Sequence, residues 1–265
     1  MKNIAIYCVN YHSYSALEEY LLSLDNANRR KEVLLTVFVG DNTDTNVQEL
    51  KFVPQSFKLK VYQIGKNLGY FVTIKYMMQQ CSPREYDYSI ISNVDVTVNE
   101  NTLTMLSKMN KEDSCGWIAP AIISGSEDRD KNPKITNRYS KKKLYILSML
   151  FKYHWLYNLY THTIYKRKKY TKRDAMKIYA GHGSFIILTK EYFKRCGIID
   201  YPIFLFCEEI YLGEQCIQHG LKVKYEPSLV VYDTEHVSTG TFKNKQYCQY
   251  NYKAIKYIIN KYYSK

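Results

Sequence analysis

The chain has 265 residues, of which 46% are hydrophobic and 24% charged. Those values exclude a disordered chain and allow one large domain or two small ones. A net charge of +13 fixes no fold but favours an anionic partner: nucleic acid, an acidic membrane surface or a phosphorylated ligand.

The N-terminus carries one Lys and then an apolar run that stops at Asn10. It is too short for a signal peptide, and no uncharged apolar run nears the roughly 18 residues that span a bilayer. Ile4 to Val9 is a β-prone strand ending in a polar turn, Asn10-Tyr11-His12-Ser13-Tyr14-Ser15. Ser15 and Glu18 have capping-box spacing, and Leu17, Leu21, Leu22 and Leu24 follow at helical spacing. Val33 to Val39 predicts a second strand, ending in Gly40-Asp41-Asn42-Thr43-Asp44. Leu59 to Ile64 predicts a third, ending in Gly65-Lys66-Asn67-Leu68-Gly69, with a helix over Tyr70 to Gln80. Tyr88 to Ile91 is a fourth, opening onto Ser92-Asn93-Val94-Asp95. Asn99 or Asn101 caps a helix over Leu103 to Met109, and Trp117 to Ile123 is a fifth strand. Strands alternating with helices predict a parallel α/β sheet, with the polar loops gathered on one edge.

Ser124 to Arg138 is polar and predicts a loop or a flap. Lys141 to Arg173 has basic ends and a centre rich in Leu, Tyr, Phe and Trp. Leu144, Leu147, Phe151, Trp155 and Leu159 fall on one helical face. Such a segment suits a membrane surface; the alternative is an amphipathic core helix between solvated Lys clusters. Ala180-Gly181-His182-Gly183-Ser184 is a tight turn before a strand. Glu191 to Cys196 is a short helix, and Glu208-Glu209 opens another that ends at Gly220. Leu221 to Tyr232 reads as one or two strands broken at Pro227, before Asp233-Thr-Glu-His236, and Tyr247 to Lys265 as a Tyr/Lys-rich helix.

The seven cysteines are odd in number and form no C-x-x-C pair. A zinc site is not expected, and the compartment is expected to be reducing, that is, cytoplasmic. Candidates for chemistry lie at the strand ends. Asp95 suits a hard cation such as Mg²⁺ or Mn²⁺, which takes oxygen ligands. Asp41 can bind a base or ribose, or close an Asx-turn. Glu208 and Glu209 stand in an apolar first turn, where desolvation raises a carboxyl pKa and makes a general base, and where the helix dipole also welcomes them. Asp233 and His236 can complete a cation site.

Taken in order, Asn-Tyr, Gly-Asp-Asn-Thr-Asp, Lys-Asn-Leu-Gly-Tyr, Ser-Asn-Val-Asp-Val, Gly-His-Gly-Ser-Phe, Phe-Cys-Glu-Glu and Glu-His-Val-Ser-Thr resemble glycosyltransferase family 2, nearest its bacterial rhamnosyltransferase-like polysaccharide enzymes. The resemblance implies a GT-A fold: a Rossmann-like α/β domain with a mostly parallel central sheet flanked by helices, here with a basic, aromatic helical insertion. It implies one domain over 1–240, with a nucleotide-binding half (1–123), the insertion (141–173), an acceptor and catalytic half (176–240), and a helical tail (241–265). Asn10, Tyr11, Asp41, Asn67, Gly69 and Asn93 would line the nucleotide. Asp95 would hold Mg²⁺ or Mn²⁺, Glu209 beside Glu208 would be the catalytic base, and His182, Gly183 and Ser184 would shape the donor and acceptor pocket. Asn93 departs from the usual first Asp of the metal motif, and the second metal ligand stays open between Asp233 and His236. The implied activity is inverting transfer of a sugar from a nucleoside diphosphate to a saccharide, lipid-linked in such enzymes, at the inner face of an anionic cell membrane.

Three rivals fare worse. Net charge and 28 Tyr would suit nucleic acid. The basic residues flank an apolar helix, however, and do not interleave with aromatics on a sheet, so no nucleic-acid partner is expected. The intact acidic pair speaks against a nucleotide-sugar-binding protein without catalysis. A nucleotidyltransferase lacks its Gly-rich phosphate loop here.

Overall fold

A computed structural model describes residues 1–110, 112–125, 129–163, 173–234 and 244–264. In chain order the elements are β1 (Lys2–Asn10), α1 (Tyr14–Ala27), β2 (Val33–Asp41), β3 (Lys58–Gln63), α2 (Tyr70–Gln80), a single 3₁₀ turn (Pro83–Glu85), β4 (Tyr88–Ser92), β5 (Val96–Val98) and α3 (Thr102–Lys108). Then come β6 (Cys115–Ser124), β7 (Arg129–Asp130), α4 (Lys141–Lys152), α5 (His154–Thr163), β8 (Met176–Ile178), β9 (Phe185–Thr189), α6 (Lys190–Cys196), α7 (Glu208–Gln218), β10 (Lys222–Asp233) and α8 (Asn244–Tyr262).

One sheet runs β3-β2-β1-β4-β9-β6-β10-β5, with β7 on β6 and β8 on β10. The first four strands in this order are parallel, as strand–helix alternation requires. β9 then enters antiparallel between β4 and β6, while β10 returns parallel to β6. Continuous apolar runs explain the centre: every residue of β4 is buried, whereas edge strand β3 exposes Lys58 and Lys60. Apolar clusters cover both faces. One gathers Leu17, Leu21 and Leu24 of α1 with Leu103 and Leu106 of α3; the other gathers residues of α2, α6, α7 and α8.

Several local expectations are corrected. The Ser15–Glu18 capping box does not form. Asn10 Oδ1 accepts the Ser13 N–H at 3.1 Å, so Ser13 is the cap residue and the helix begins at Tyr14. Leu22 faces solvent. β10 is one strand, and Pro227 lies inside a register shift between Glu226 and Val230, where a missing N–H does no harm. The aromatic segment is two helices broken at Tyr153. The break separates the supposed stripe: Leu144 is fully buried while Trp155 and Leu159 are exposed.

The tail helix α8 packs on α4 and α7, with Ala254, Ile255, Ile258 and Ile259 in the core. A buried carboxylate fastens it there. Glu214 of α7, 1% exposed, takes both arms of Arg138 at 2.8 Å, Tyr179 Oη at 2.8 Å and Tyr263 Oη at 2.7 Å. The Arg138 guanidinium also stacks on the Tyr263 ring. Glu214 is buried but Arg138 is 44% exposed, so water can partly replace the lost partner. Arg138→Ala is expected to cost about 1–2 kcal/mol, read as a lowered denaturation midpoint, with Arg138→Lys recovering only part because it cannot fork.

Candidate functional site

The site lies along the carboxyl ends of β1, β2 and β4, where the polar loops meet. Asn10 ends β1 and Asp41 ends β2, and the two are paired in register. Asp41 is 1% exposed. It accepts from the Asn10 amide at 3.1 Å, the Tyr14 hydroxyl at 2.7 Å and the Thr43 N–H at 3.1 Å. Three donors hold most of its lone pairs, so it fixes the loop geometry around the cleft first. Tyr11 stands exposed on the rim, edge-on to His12. Asn67 Oδ1 accepts the Gly69 N–H at 3.1 Å, and Asn42 ties that turn to β2.

Gly69 is required by space and by backbone. Its φ is +86°, and a Cβ there would collide with the Phe204 carbonyl oxygen. Tyr70 N–H donates to that same oxygen at 3.1 Å. The loop after β3 thereby touches the turn that leads into α7.

That turn is strained. Phe206 and Cys207 both have positive φ, 74° and 63°. Each such non-glycine residue costs on the order of 1–3 kcal/mol, which is why strain of this kind gathers at functional sites. The turn aims Glu208 and Glu209 from the first residues of α7. Glu209 is half-buried, and its Oε1 accepts the Gly183 N–H at 3.3 Å. A Cβ on Gly183 would lie 3.2 Å from that oxygen, so only glycine leaves the carboxylate undisturbed. Glu208 is buried, and its Oε1 has no hydrogen-bond partner. Burial, then the neighbouring Glu209, pushes its carboxyl up to about 8.

Asn93 and Asp95 leave β4 beside this pair. Asn93 N–H donates to Ser184 O at 2.9 Å, and Ser184 Oγ meets His182 Nδ1 at 3.0 Å. Asp95 is buried, and its carbonyl accepts both the N–H and the hydroxyl of Thr234. Asp233 is therefore adjacent, and Lys131 Nζ sits 3.0 Å from it. His236 lies outside the described residues.

The carboxylate chemistry suits a hard divalent cation. Among the described residues no three His, Cys, Asp or Glu side chains gather as a ready-made cage. A cation here would take Asp95 and fill its shell with substrate oxygens, as Mg²⁺ does beside phosphates.

Two groups escaped sequence reasoning. Tyr70, directly after Gly69, donates its hydroxyl to Gly183 O at 3.3 Å. Burial raises its pKa well above the ordinary value, and the charges of Glu208 and Asp95 add to this. Tyr70 thus stands within electrostatic reach of both Asp95 and Glu208; its place in Lys-Asn-Leu-Gly-Tyr was the available signal. The other is the 129–134 segment: an expected loop or flap that is in fact tied to His182.

No family model matches the chain. It is 23% identical over 246 residues to N-acetylglucosaminyl-diphospho-decaprenol L-rhamnosyltransferase of Mycobacterium tuberculosis, in both strain CDC 1551 / Oshkosh and strain ATCC 25618 / H37Rv, covering 89% of this chain and 78% of that one. Among solved structures, S. aureus TarS 1-349 in complex with UDP-GlcNAc superposes with a TM-score of 0.58 at 14% identity, over 92% of this chain and 62% of that one. GalNAc-T7 with UDP, GalNAc and Mn²⁺ gives 0.61 at 15%, over 92% and 45%. The chain thus spans less than two thirds of either neighbour's length. The likeness establishes the fold: this is a GT-A glycosyltransferase fold.

The raised carboxyl of Glu208 links stability to pH. The folded chain keeps a proton that the unfolded chain gives up above about 4.5, so this group's contribution is full below that pH and falls as pH rises toward about 8. Glu208→Gln keeps the neutral shape. Its melting temperature is expected to match wild type near pH 4.5 and to exceed it increasingly as pH climbs to 8. Parallel melting curves across that range would contradict the assignment.

Proposed function

We propose that this chain, similar to a bacterial rhamnosyltransferase and built on the GT-A fold, is an inverting glycosyltransferase. It moves a sugar from a nucleoside-diphosphate donor to a hydroxyl of a lipid-linked saccharide in cell-surface polysaccharide synthesis. The observation that carries the reading is the junction of two chemistries. Glu209 is held against Gly183 at the start of α7, Asp95 ends the β4 loop, and Tyr70 and the Ser184–Asn93 contact join them.

The roles divide as follows. Asn10, Tyr11, Asn67, Gly69 and Asn93 border the nucleotide, and Asp41 braces their loops through Asn10 and Thr43. Asp95 holds Mg²⁺ or Mn²⁺, which when bound supplies positive charge for the leaving diphosphate. His182, Gly183 and Ser184 shape the pocket for the two sugars. The acceptor hydroxyl attacks the anomeric carbon from the face opposite the diphosphate. The bond to the diphosphate oxygen breaks, and Glu209 takes the hydroxyl proton. Glu208, buried and protonated at neutral pH, keeps a second negative charge away from the base. The Mn²⁺ in the GalNAc-T7 structure supports use of a divalent cation.

We place the working surface at the inner face of the membrane. No helix of the described residues is long and apolar enough to cross a bilayer. Yet α4 and α5 expose Tyr145, Ile146, Met149, Tyr153, Trp155 and Leu159. Lys141, Lys142 and Lys152 stand exposed on the same helices. Apolar insertion with basic headgroup contacts is the chemistry of reversible docking, worth about 1 kcal/mol per basic residue near an anionic surface. The seven free thiols suit a reducing compartment.

Glu209→Gln is expected to lower turnover by roughly 10²–10⁴-fold while donor affinity stays unchanged. Near-normal turnover in that variant, with loss in Glu208→Gln, would move the base to Glu208. Nucleoside diphosphates with Mn²⁺ are expected to raise the melting temperature: a ligand at about 100 times its Kd adds roughly 2.7 kcal/mol. Absence of any nucleotide-dependent shift removes the reading. Co-sedimentation with liposomes is expected to require anionic lipid and to fall in Trp155→Ser/Leu159→Ser.

A further inference from the structure

Gly183 sits in a turn that is bonded from four other segments. His182 N–H donates to Asn132 Oδ1 at 2.8 Å, and Ser184 O accepts the Asn93 N–H at 2.9 Å. Between them Gly183 N–H donates to Glu209 Oε1, and Gly183 O accepts from the Tyr70 hydroxyl, both at 3.3 Å. Two peptide planes meet at the Gly183 Cα, and glycine is the residue that turns most freely there. The plane that holds Glu209 is therefore only as fixed as the plane that follows it. On that second plane, Ser184 N–H has a local partner, His182 Nδ1. The Tyr70 hydroxyl ties it to another part of the chain.

Tyr70 is bonded at its other end as well. Its N–H donates to Phe204 O at 3.1 Å, and Gly69 lets the two segments come that close. Phe204 precedes the strained pair Phe206 and Cys207, which leads directly into Glu208 and Glu209. One residue thus bonds the backbone that delivers Glu209 and the backbone that holds its carboxylate. The Tyr70 ring lies 5.4 Å from that of Phe71, which is fully buried against Tyr201 and Tyr211. Burial, with the charges of Glu208 and Asp95, keeps the hydroxyl protonated, so it donates. Both 3.3 Å bonds are long, as is common for catalytic contacts that tighten when substrate arrives.

We propose that Tyr70 is a positioning residue for proton transfer: its hydroxyl holds the Gly183 peptide so that Glu209 stays aimed at the attacking hydroxyl. This rests on the glycosyltransferase reading above and adds a residue that acts through the base. Displacing a reacting group by about 1 Å costs up to about 10²-fold in rate. A hydroxyl that only stabilised the fold would move the melting temperature. One that aims Glu209 changes kcat, and only while Glu209 is there to aim.

A double-mutant cycle on the full chain tests this. The readout is nucleoside diphosphate released from uridine, thymidine and guanosine diphosphate sugars with Mn²⁺. Water stands in for the acceptor hydroxyl, since its attack also requires a proton to be removed. Tyr70→Phe keeps the ring. It is expected to lower kcat by roughly tenfold, with KM for the nucleotide sugar unchanged and a melting temperature near that of wild type. In a Glu209→Gln background the same substitution is expected to cost nothing further. Wild-type kcat in Tyr70→Phe, or an equal fold loss in both backgrounds, overturns the proposal. So does a raised KM with kcat intact, which would put the hydroxyl in donor binding. Failure of the glycosyltransferase reading shows separately: wild type then releases no nucleoside diphosphate, and the role of Tyr70 falls with that of Glu209.

Discussion

Glu214 is the fixed point of the C-terminal half of the chain. A carboxylate that deep in the protein is tolerated only if its charge and lone pairs are met. Arg138, Tyr179 and Tyr263 meet them from three different segments. The segment entering α4, the strand region after β8, and the far end of α8 are therefore all tied to α7. Because α7 also begins with Glu208 and Glu209, anchoring that helix anchors the acidic pair. The position of the Glu209 carboxylate is thus a consequence of packing more than one turn away.

The opposite end of the same helix is where the structure spends stability. Phe206 and Cys207 adopt left-handed backbone, Glu208 is buried with an oxygen lacking a hydrogen bond, Gly69 leaves no room for a side chain, and a side chain at Gly183 would press on the Glu209 carboxylate. None of these choices helps folding. Each brings a backbone or carboxylate closer to the cleft than a relaxed chain would. Charge-assisted hydrogen bonds of about 1.5–3 kcal/mol each, such as those at Glu214, are of the size needed to offset strain of about 1–3 kcal/mol per residue.

What was legible in the sequence follows the same division. Continuous apolar runs marked β1, β2, β4 and β6 within a residue or two, and α2 begins and ends where its spacing put it. The strand-end polar residues Asn10, Asp41, Asn67, Asn93 and Asp95 were legible for the same reason, since parallel strands deliver their ends to one edge. Interactions between segments were not. That β9 would insert antiparallel beside β4 depends on pairing across about a hundred residues, which local pattern does not carry. Asp130 and Asn132 read as loop residues, because only burial against Tyr225 and His182 distinguishes them from solvated ones. The split of the aromatic segment at Tyr153 was hidden as well. Either helical register buries Leu144, but only the broken one turns Trp155 outward.

The two aspartates at the cation edge show how far identity differs from role. Asp95 and Asp233 are both buried; Asp95 stands just before β5, Asp233 ends β10, and the two are joined through Thr234. From sequence, Asp95 is the main cation ligand and the second stays open between Asp233 and His236. The structure gives Asp233 an ammonium at 3.0 Å, while the charge of Asp95 bears on the buried Tyr70 hydroxyl. A carboxylate already holding a lysine gains little from a second cation, because their mutual repulsion opposes it. Any cation at this edge that takes Asp233 as a ligand would therefore have to displace Lys131 or share the carboxylate with it, so the residue's place at a strand end says less about its chemistry than the ammonium beside it does.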